Sequence, residues 1–445
     1  MVCGSRRCDR DRRLLAATPL RRVTVGRNYQ LFGLGCRAVS AAEIKPIEPV
    51  WVMPAEEEPV SQSTTSAFRT PNVAIIGAGV IGLSIAWRLA QRGADVTVFE
   101  RDAAGKGASH AAAGMLAASA EVEPGEEGLF ALNRASKALW PAFAAELEQA
   151  SGETIDLRQE GTLVVALTAD DRARLRHHLQ FQRGLDALPE WISAAEARRR
   201  EPHLNPNLSG AVFSPQDHQV DNRKVAAALR IAAERAGAKI REHAPVERVV
   251  TEDGRATGVV AAGAIERAEW VVLAAGAWSR AIEGLGAPPP VRPVKGQMLA
   301  LRMDPHAPLL RHVVWAPGAY LVPRHDGRLL IGATVEEKGF DPQLTAGAQL
   351  ALLEAAWRAL PGIEELPIAE AWVGFRPGSR DDAPILGRGP TGGLIYATGH
   401  YRNGILLTPV TSQTIAALIL DQRLDPLIAP FSIERFARAV ATAAE

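Results

Sequence analysis

The stretch Val73-Ala74-Ile75-Ile76-Gly77-Ala78-Gly79-Val80-Ile81-Gly82 constrains this chain more than any other part of it. Four apolar residues, three of them β-branched, predict a parallel strand buried on both faces. Leu83 to Arg92 predicts a helix, and a glycine turn joins the two. The spacing Gly77, Gly79, Gly82 is G-x-G-x-x-G, and each position has its own physical task. Gly77 turns the chain sharply out of the strand. Gly79 has no Cβ, so a pyrophosphate can lie against the backbone. Gly82 lets the helix, whose N-terminal N–H groups face the phosphates, pack close to the sheet. A second β-branched strand, Val96-Thr97-Val98-Phe99, ends at Glu100. A carboxylate about 20 residues past the turn is placed to accept ribose hydroxyls. The folded part therefore opens as a βαβ unit suited to a dinucleotide.

The chain has 445 residues. At about 150 residues per domain, that length suits two or three domains. Nearly half the residues are hydrophobic, and 50 basic side chains balance 50 acidic ones, as in a soluble globular enzyme. A balanced charge gives no general reason to bind nucleic acid or an anionic membrane. No apolar run approaches the ~18 residues needed to span a bilayer. Cys3, Cys8 and Cys36 all precede the βαβ unit. The folded part thus has no disulfide, no thiolate nucleophile and no cysteine to anchor a cofactor. That usage fits a cytoplasmic protein. No histidines near Cys3 and Cys8 complete a metal site, and none is expected.

Residues 1–70 read as an extension or a mis-assigned start rather than a domain. Arginines cluster from Arg6 to Arg22, followed by Pro46, Pro49, Pro54, Pro59 and the acidic run Glu56-Glu57-Glu58. Such composition is that of a linker or disordered segment. Leu14 to Leu20 is too short for a secretory signal and contains Pro19, while Asp9 and Asp11 count against an arginine-rich presequence. Translation from Met53 is a simpler account. Beyond Pro71 the pattern turns regular. Helices are expected over Ala131 to Ala150, Asp170 to Gly184, Arg223 to Ala236 and Val410 to Asp421, and hairpins around Asp253-Gly254 and Asp326-Gly327. Two more buried strands run into glycine, at Trp270 to Gly276 and Leu394 to Gly399. Between Pro293 and Ala371 the strands alternate and join by hairpins, which is antiparallel character. The fold class expected is α/β: a Rossmann-type nucleotide-binding domain from residues 71–150, 205–287 and 371–425. An inserted, mostly antiparallel α+β substrate domain covers 151–204 and 288–370, and 426–445 form a tail.

Four motifs follow the glycine turn and Glu100 in order, making five with the turn itself: Ala111-Ala112-Ala113-Gly114-Met115-Leu116, Ala274-Ala275-Gly276-Ala277-Trp278-Ser279, Trp372-Val373-Gly374-Phe375-Arg376-Pro377 and the run from Gly399 through His400-Tyr401-Arg402-Asn403-Gly404-Ile405-Leu406. Together they resemble the D-amino-acid-oxidase-type family of FAD-dependent amine oxidoreductases, and within it the glycine oxidases that serve thiazole formation in thiamine biosynthesis. The resemblance covers Pro71 to about Arg435. It implies non-covalent FAD held by Gly77, Gly79, Val80, Ile81, Gly82, Glu100 and Arg101. It adds Ala108, Ser109, Ala113, Gly114, Met115, Val246 and Gly276, and the last loop with His400, Tyr401, Arg402, Asn403, Gly404, Ile405 and Leu406.

On the substrate side, Arg376 precedes the turn Pro377-Gly378, and a planar guanidinium grips a carboxylate through two parallel hydrogen bonds. The resemblance gives it that role; the alternative is an ion pair with Asp381 or Asp382. Arg402 and Tyr320 are implied near the substrate. Val335 and Gly318 stand where relatives can carry methionine and histidine. His110 is read as a polar loop residue donating a hydrogen bond, because relatives with a covalent anchor carry it where this chain has Ala111. Lys295 is read as a solvated lysine rather than a cation promoting oxygen reduction. Trp278 and Trp372 are read as packing residues. The function implied is oxidative deamination of glycine or another small amine, with O2 as acceptor and a homo-oligomer as the expected assembly. A D-amino-acid dehydrogenase passing electrons to a carrier is the alternative, then a flavin-binding subunit without turnover, then an NAD enzyme.

Overall fold

The computed structural model of the chain describes residues 70–185 and 187–437. The expectations for the extension, Met53 and the three cysteines, and for the last residues of the tail, lie outside these. Strand Asn72–Ile76 is the centre of a six-stranded sheet. Its neighbours are Trp270–Leu273 on one side and Asp95–Phe99 on the other, both parallel. Leu394–Thr398 and Lys239–Arg241 extend the parallel set, and Ile385–Arg388 closes one edge antiparallel.

Alternation along the central strand explains the layers. Val73 and Ile75 point into a core shared with helices Val80–Gln91, Glu127–Ser151, Asn222–Arg235 and Thr408–Leu420. Ala74 and Ile76 point the other way, into a core closed by the three-stranded sheet Val246–Glu252, Arg255–Ala261 and Ala264–Arg267. Burying each such valine or isoleucine contributes roughly 1.5–3 kcal/mol. A strand apolar on both faces is therefore stable only as the middle layer.

The second sheet has eight strands, in the order Ile368–Gly378, Arg292–Arg302, Arg328–Gly332, Ala319–Pro323, Val313–Ala316, Thr162–Ala166, Gly210–Ser214 and Glu190–Ile192. All its pairings are antiparallel except Val313–Ala316 with Thr162–Ala166. Leu299 and Leu301 turn to a core under helix Ala346–Ala359, while Met298 and Ala300 turn to the opposite face, toward Ala113. After Gly210–Ser214 the next strand, His218–Gln219, pairs with Met115–Leu116, and after Ile368–Gly378 the next, Ile385–Arg388, belongs to the six-stranded sheet. The chain thus crosses between sheets within a few residues of Ser214 and of Gly378.

Two helix starts differ from expectation. The first helix begins at Val80, not Leu83, because Gly79 is extended and Ser109 Oγ, from a separate loop, accepts from Val80 N at 3.0 Å. The long helix begins at Glu127, four residues before Ala131. Among the described glycines the tightest is Gly82, where a Cβ would lie 1.9 Å from the Gly77 carbonyl oxygen. Gly82→Ala should cost at least about 2 kcal/mol, as forced overlap in a packed core does. Gly128→Ala, in open space within a helix, should stabilise by about 0.5 kcal/mol. Thermal melts compare them; a Gly82→Ala protein as stable as its parent contradicts this packing.

Candidate active site

The glycine turn is fixed from three directions. Gly77 N donates to Phe99 O at 2.8 Å, and Ala274 N donates to Ile76 O at 2.9 Å. Gly77 has φ +104°, and a Cβ there would sit 2.5 Å from Ala274 O. Glu100, at the end of the next strand, accepts from Ala78 N at 2.8 Å and from Asp102 N at 3.1 Å. Each carboxylate oxygen keeps a second lone pair.

From this turn a cavity of about 900 Å3 runs to the face of the eight-stranded sheet. It brings together Gly77, Gly79, Val80, Ile81, Glu100, Arg101, Ala108, Ser109, Ala113, Gly114, Met115, Val246 and Gly276. At its other end lie Tyr320, Arg376 and, from the last loop, His400, Tyr401, Arg402, Gly404 and Ile405. Three residues expected at the cofactor do not line it. Gly82 packs on Gly77, Asn403 is buried within its own turn, and the Leu406 carbonyl accepts from Ser136 Oγ at 2.7 Å and Trp140 Nε1 at 2.9 Å. These residues shape the wall from behind.

Arg376 sits half-buried on strand Ile368–Gly378. Its Nη1 donates to Thr334 O at 3.0 Å. The acids that could have claimed it are engaged elsewhere: Asp381 with Arg435 at 2.8 Å, and Asp382 facing Arg292 at 3.5 Å. Among the described residues no carboxylate pairs with Arg376. Two glycines not singled out from sequence make the arrangement possible. A Cβ on Gly296 would lie 2.6 Å from Arg376 Nη1, and one on Gly332 would lie 2.7 Å from the Tyr320 ring. Each lets the longer side chain lie flat on the neighbouring strand. Burial pushes the Tyr320 phenol above its ordinary pKa, so it is held as a neutral donor.

Arg402 is differently placed. It pairs with Glu126 at 2.8 Å and Glu121 at 3.4 Å, and donates to the Glu121 carbonyl at 3.0 Å. Glu121, which also lines the cavity, is a residue that sequence reasoning missed. It stands among Glu123, Glu126 and Glu127, so it has the look of one more surface acid. Its loop is pinned by buried Asp217, which accepts from Ser119 N at 3.1 Å and Ala120 N at 2.7 Å. Burial, only partly offset by Arg402, pushes the Glu121 carboxyl up to about 7. His400 is buried and pushed down to about 3, which makes it neutral, and Nε2 meets Thr411 Oγ1 at 3.2 Å.

Lys295 departs from expectation. It is fully buried, not solvated, and lies off the cavity lining. Its ammonium donates to Asp341 Oδ2 at 2.8 Å and Gln343 O at 2.6 Å, tying down the segment that follows Thr334. His110 is also off the lining; its carbonyl accepts from Asn222 at 3.1 Å, and among the described residues its imidazole makes no hydrogen bond. Trp372 packs as expected, donating to Ala111 O at 3.1 Å. Trp278 lines the cavity, with the Arg101 guanidinium 3.5 Å above its ring and Phe340 stacked at 4.9 Å. Val335 stands 65% exposed at the rim.

An elongated dinucleotide fits these residues. The volume lies at the upper end for ligand pockets, leaving room for a small molecule beside it. A bare backbone at Gly79 and a carboxylate at Glu100 mark one end, and an apolar wall of Ala113, Met298 and Trp315 the other. Among the described residues no cluster of His, Cys, Asp and Glu is arranged to hold a metal ion.

Comparison with known proteins agrees with this geometry. The family described as FAD dependent oxidoreductase (DAO) matches residues 72–418. A bifunctional protein ThiO/ThiG of Synechocystis is 41% identical over 373 residues, covering 82% of this chain and 54% of that protein. The chain thus spans about half the length of such bifunctional relatives. A glycine oxidase of Geobacillus kaustophilus is 39% identical over 82% of this chain and 97% of its own. Its crystal structure superposes with a TM-score of 0.77, covering 82% of this chain and 98% of that one. The iminodiacetate oxidase of Chelativorans superposes at 0.74 with 31% identity, covering 81% of this chain and 98% of that one. This chain belongs to the DAO family of FAD dependent oxidoreductases.

Proposed function

We propose that the protein oxidises glycine or another small amine or amino acid to its imine, which water then hydrolyses to the oxo acid and ammonia. The observation that carries this reading is Arg376: a cation at a dinucleotide-sized cavity, without a carboxylate of its own among the described residues. A substrate carboxylate completes it through paired hydrogen bonds. Bound FAD would supply the two-electron acceptor for the hydride leaving the α-carbon, with O2 as the final oxidant and H2O2 as its product.

The remaining roles belong to the chain. Arg376 fixes one end of the substrate, so that the α-carbon has a single position along the cavity; holding reactants in register removes much of the entropic barrier. The amine reacts in its neutral form, because its lone pair becomes part of the C=N bond. Tyr320, with Met298 and Trp315 beside it, bounds the space left for a side chain and favours small substrates. Arg402 is balanced by Glu121 and Glu126, so it braces the cavity mouth and leaves Arg376 as the carboxylate ligand. Thiazole formation in thiamine biosynthesis is the fate of the product on this reading.

Two measurements test it. Arg376→Ala should keep its yellow cofactor while peroxide release with glycine falls at least about 100-fold, the loss expected when a charged hydrogen-bonded pair is broken. Loss of FAD instead moves Arg376 from substrate to cofactor. The second concerns Glu121, whose carboxyl is raised from 4.5 to about 7 in the folded chain. The folded state then holds a proton that the unfolded state has released, and stability declines as pH rises between those values. Glu121→Gln should remove that decline. Relative to the parent, its melting temperature should be higher at pH 8 than at pH 5; an equal difference at both contradicts the assignment.

A further inference from the structure

Arg324 directly follows the strand Ala319–Pro323 that carries Tyr320, and nothing in the reaction above uses it. Its side chain is 4% exposed. Among the described residues no carboxylate pairs with it, since neighbouring Asp221 is taken by Arg328 at 2.7 Å. The two Nη groups are held by neutral oxygens alone. Nη1 donates to Val220 O at 2.8 Å and Gln219 Oε1 at 3.0 Å; Nη2 donates to Ala113 O at 2.7 Å and Asn222 Oδ1 at 2.9 Å. Among the described residues Nε has no partner. Burial lowers its pKa to about 10, so it is still a cation at neutral pH. A buried cation without a counter-ion opposes folding, and a hydrophobic side chain of the same size would serve packing better. Its presence calls for a role beyond packing.

The partners identify that role. Ala113 and Gly114 line the cavity, and Arg324 grips the Ala113 carbonyl from the far side. Gly114 is required for this approach: its φ is +69°, and a Cβ would lie 2.9 Å from Arg324 Nη2 and 2.1 Å from Val220 O. Asn222 carries the connection onward. Its Oδ1 accepts from Arg324, and its Nδ2 donates to Ser109 O at 2.8 Å. Ser109 Oγ in turn accepts from Val80 N, the first residue of the helix after the glycine turn. An unbroken polar path therefore runs from the Tyr320 strand to the phosphate end of the cavity.

We propose that Arg324 is a positioning residue that registers the cofactor-facing segment Ala108–Met115 against the strand carrying Tyr320, so that FAD and the substrate pocket keep one fixed spacing. The proposal rests on the FAD and glycine readings above. A lysine at this position has the charge but cannot make the forked contacts to Ala113 and Val220 together. Cutting the path at Asn222 leaves Arg324 in place and frees that segment.

The test compares Arg324→Lys and Asn222→Ala with the parent holoprotein. Three quantities are read: the FAD dissociation constant after stripping and titration, the visible flavin band, and the anaerobic flavin reduction rate across glycine concentrations. The expected result is FAD binding weakened about tenfold, the loss of one hydrogen bond to a charged group. A shifted visible band and a slower reduction rate at saturating glycine should accompany it, with the half-saturating concentration little changed. Folded variants with unchanged FAD affinity and band overturn the proposal, whatever their melting temperature. Should Arg324→Lys fail to fold, Asn222→Ala decides alone by the same criterion. If glycine does not reduce the parent, the functional reading fails, while affinity and band still decide the role of Arg324.

Discussion

Three separate parts of the chain meet where two of them have no room for a Cβ. Gly82 packs under the Gly77 carbonyl, and Gly77 itself lies against Ala274. This contact joins the first strand, the first helix and the strand that returns some 200 residues later in the sequence. The other cavity walls are arranged around it. Ser109 reaches Val80, Glu100 reaches Ala78, and the last loop is hung from the long helix through the Leu406 carbonyl. A side chain at either glycine would separate the layers before it touched any ligand.

The site lies between two sheets with different tasks. The parallel sheet delivers backbone: turns, carbonyls and N–H groups at the ends of its strands, where open α/β sheets bind ligands. The antiparallel sheet delivers side chains, Tyr320 and Arg376, spread flat because Gly332 and Gly296 clear the adjacent strands. Charge is divided in the same way. Arg402 is neutralised by its own glutamates, Lys295 is consumed by Asp341, and Arg376 has no carboxylate among the described residues. On the proposed reading, this division is what suits the cavity to a small amino acid.

Much of this was legible in the sequence where local pattern and chemistry coincide. The β-branched strand with its glycine spacing announced the dinucleotide turn, and the hairpin dipeptides Asp253-Gly254 and Asp326-Gly327 placed their strand pairs correctly. What was not legible depends on partners distant in sequence. Lys295 looked like any solvated lysine because Asp341 and Gln343 lie more than 40 residues away. Glu121 looked like one acid in a run, since neither Asp217 nor Arg402 is near it in the chain. Gly296 and Gly332 had no motif, because their purpose is set by side chains on adjoining strands. Arg324 had none either: a buried cation bound only by neutral oxygens leaves no pattern in one dimension.

On the proposed reading, a small amino acid held by Arg376 gives up its electrons in this cavity. Anaerobic titration of the yellow holoprotein with glycine, followed at the visible flavin band, tests it most directly. The account predicts saturable bleaching by glycine, with recovery of the colour and release of peroxide when air is admitted. A band left unbleached by glycine, sarcosine and the small D- and L-amino acids would contradict it.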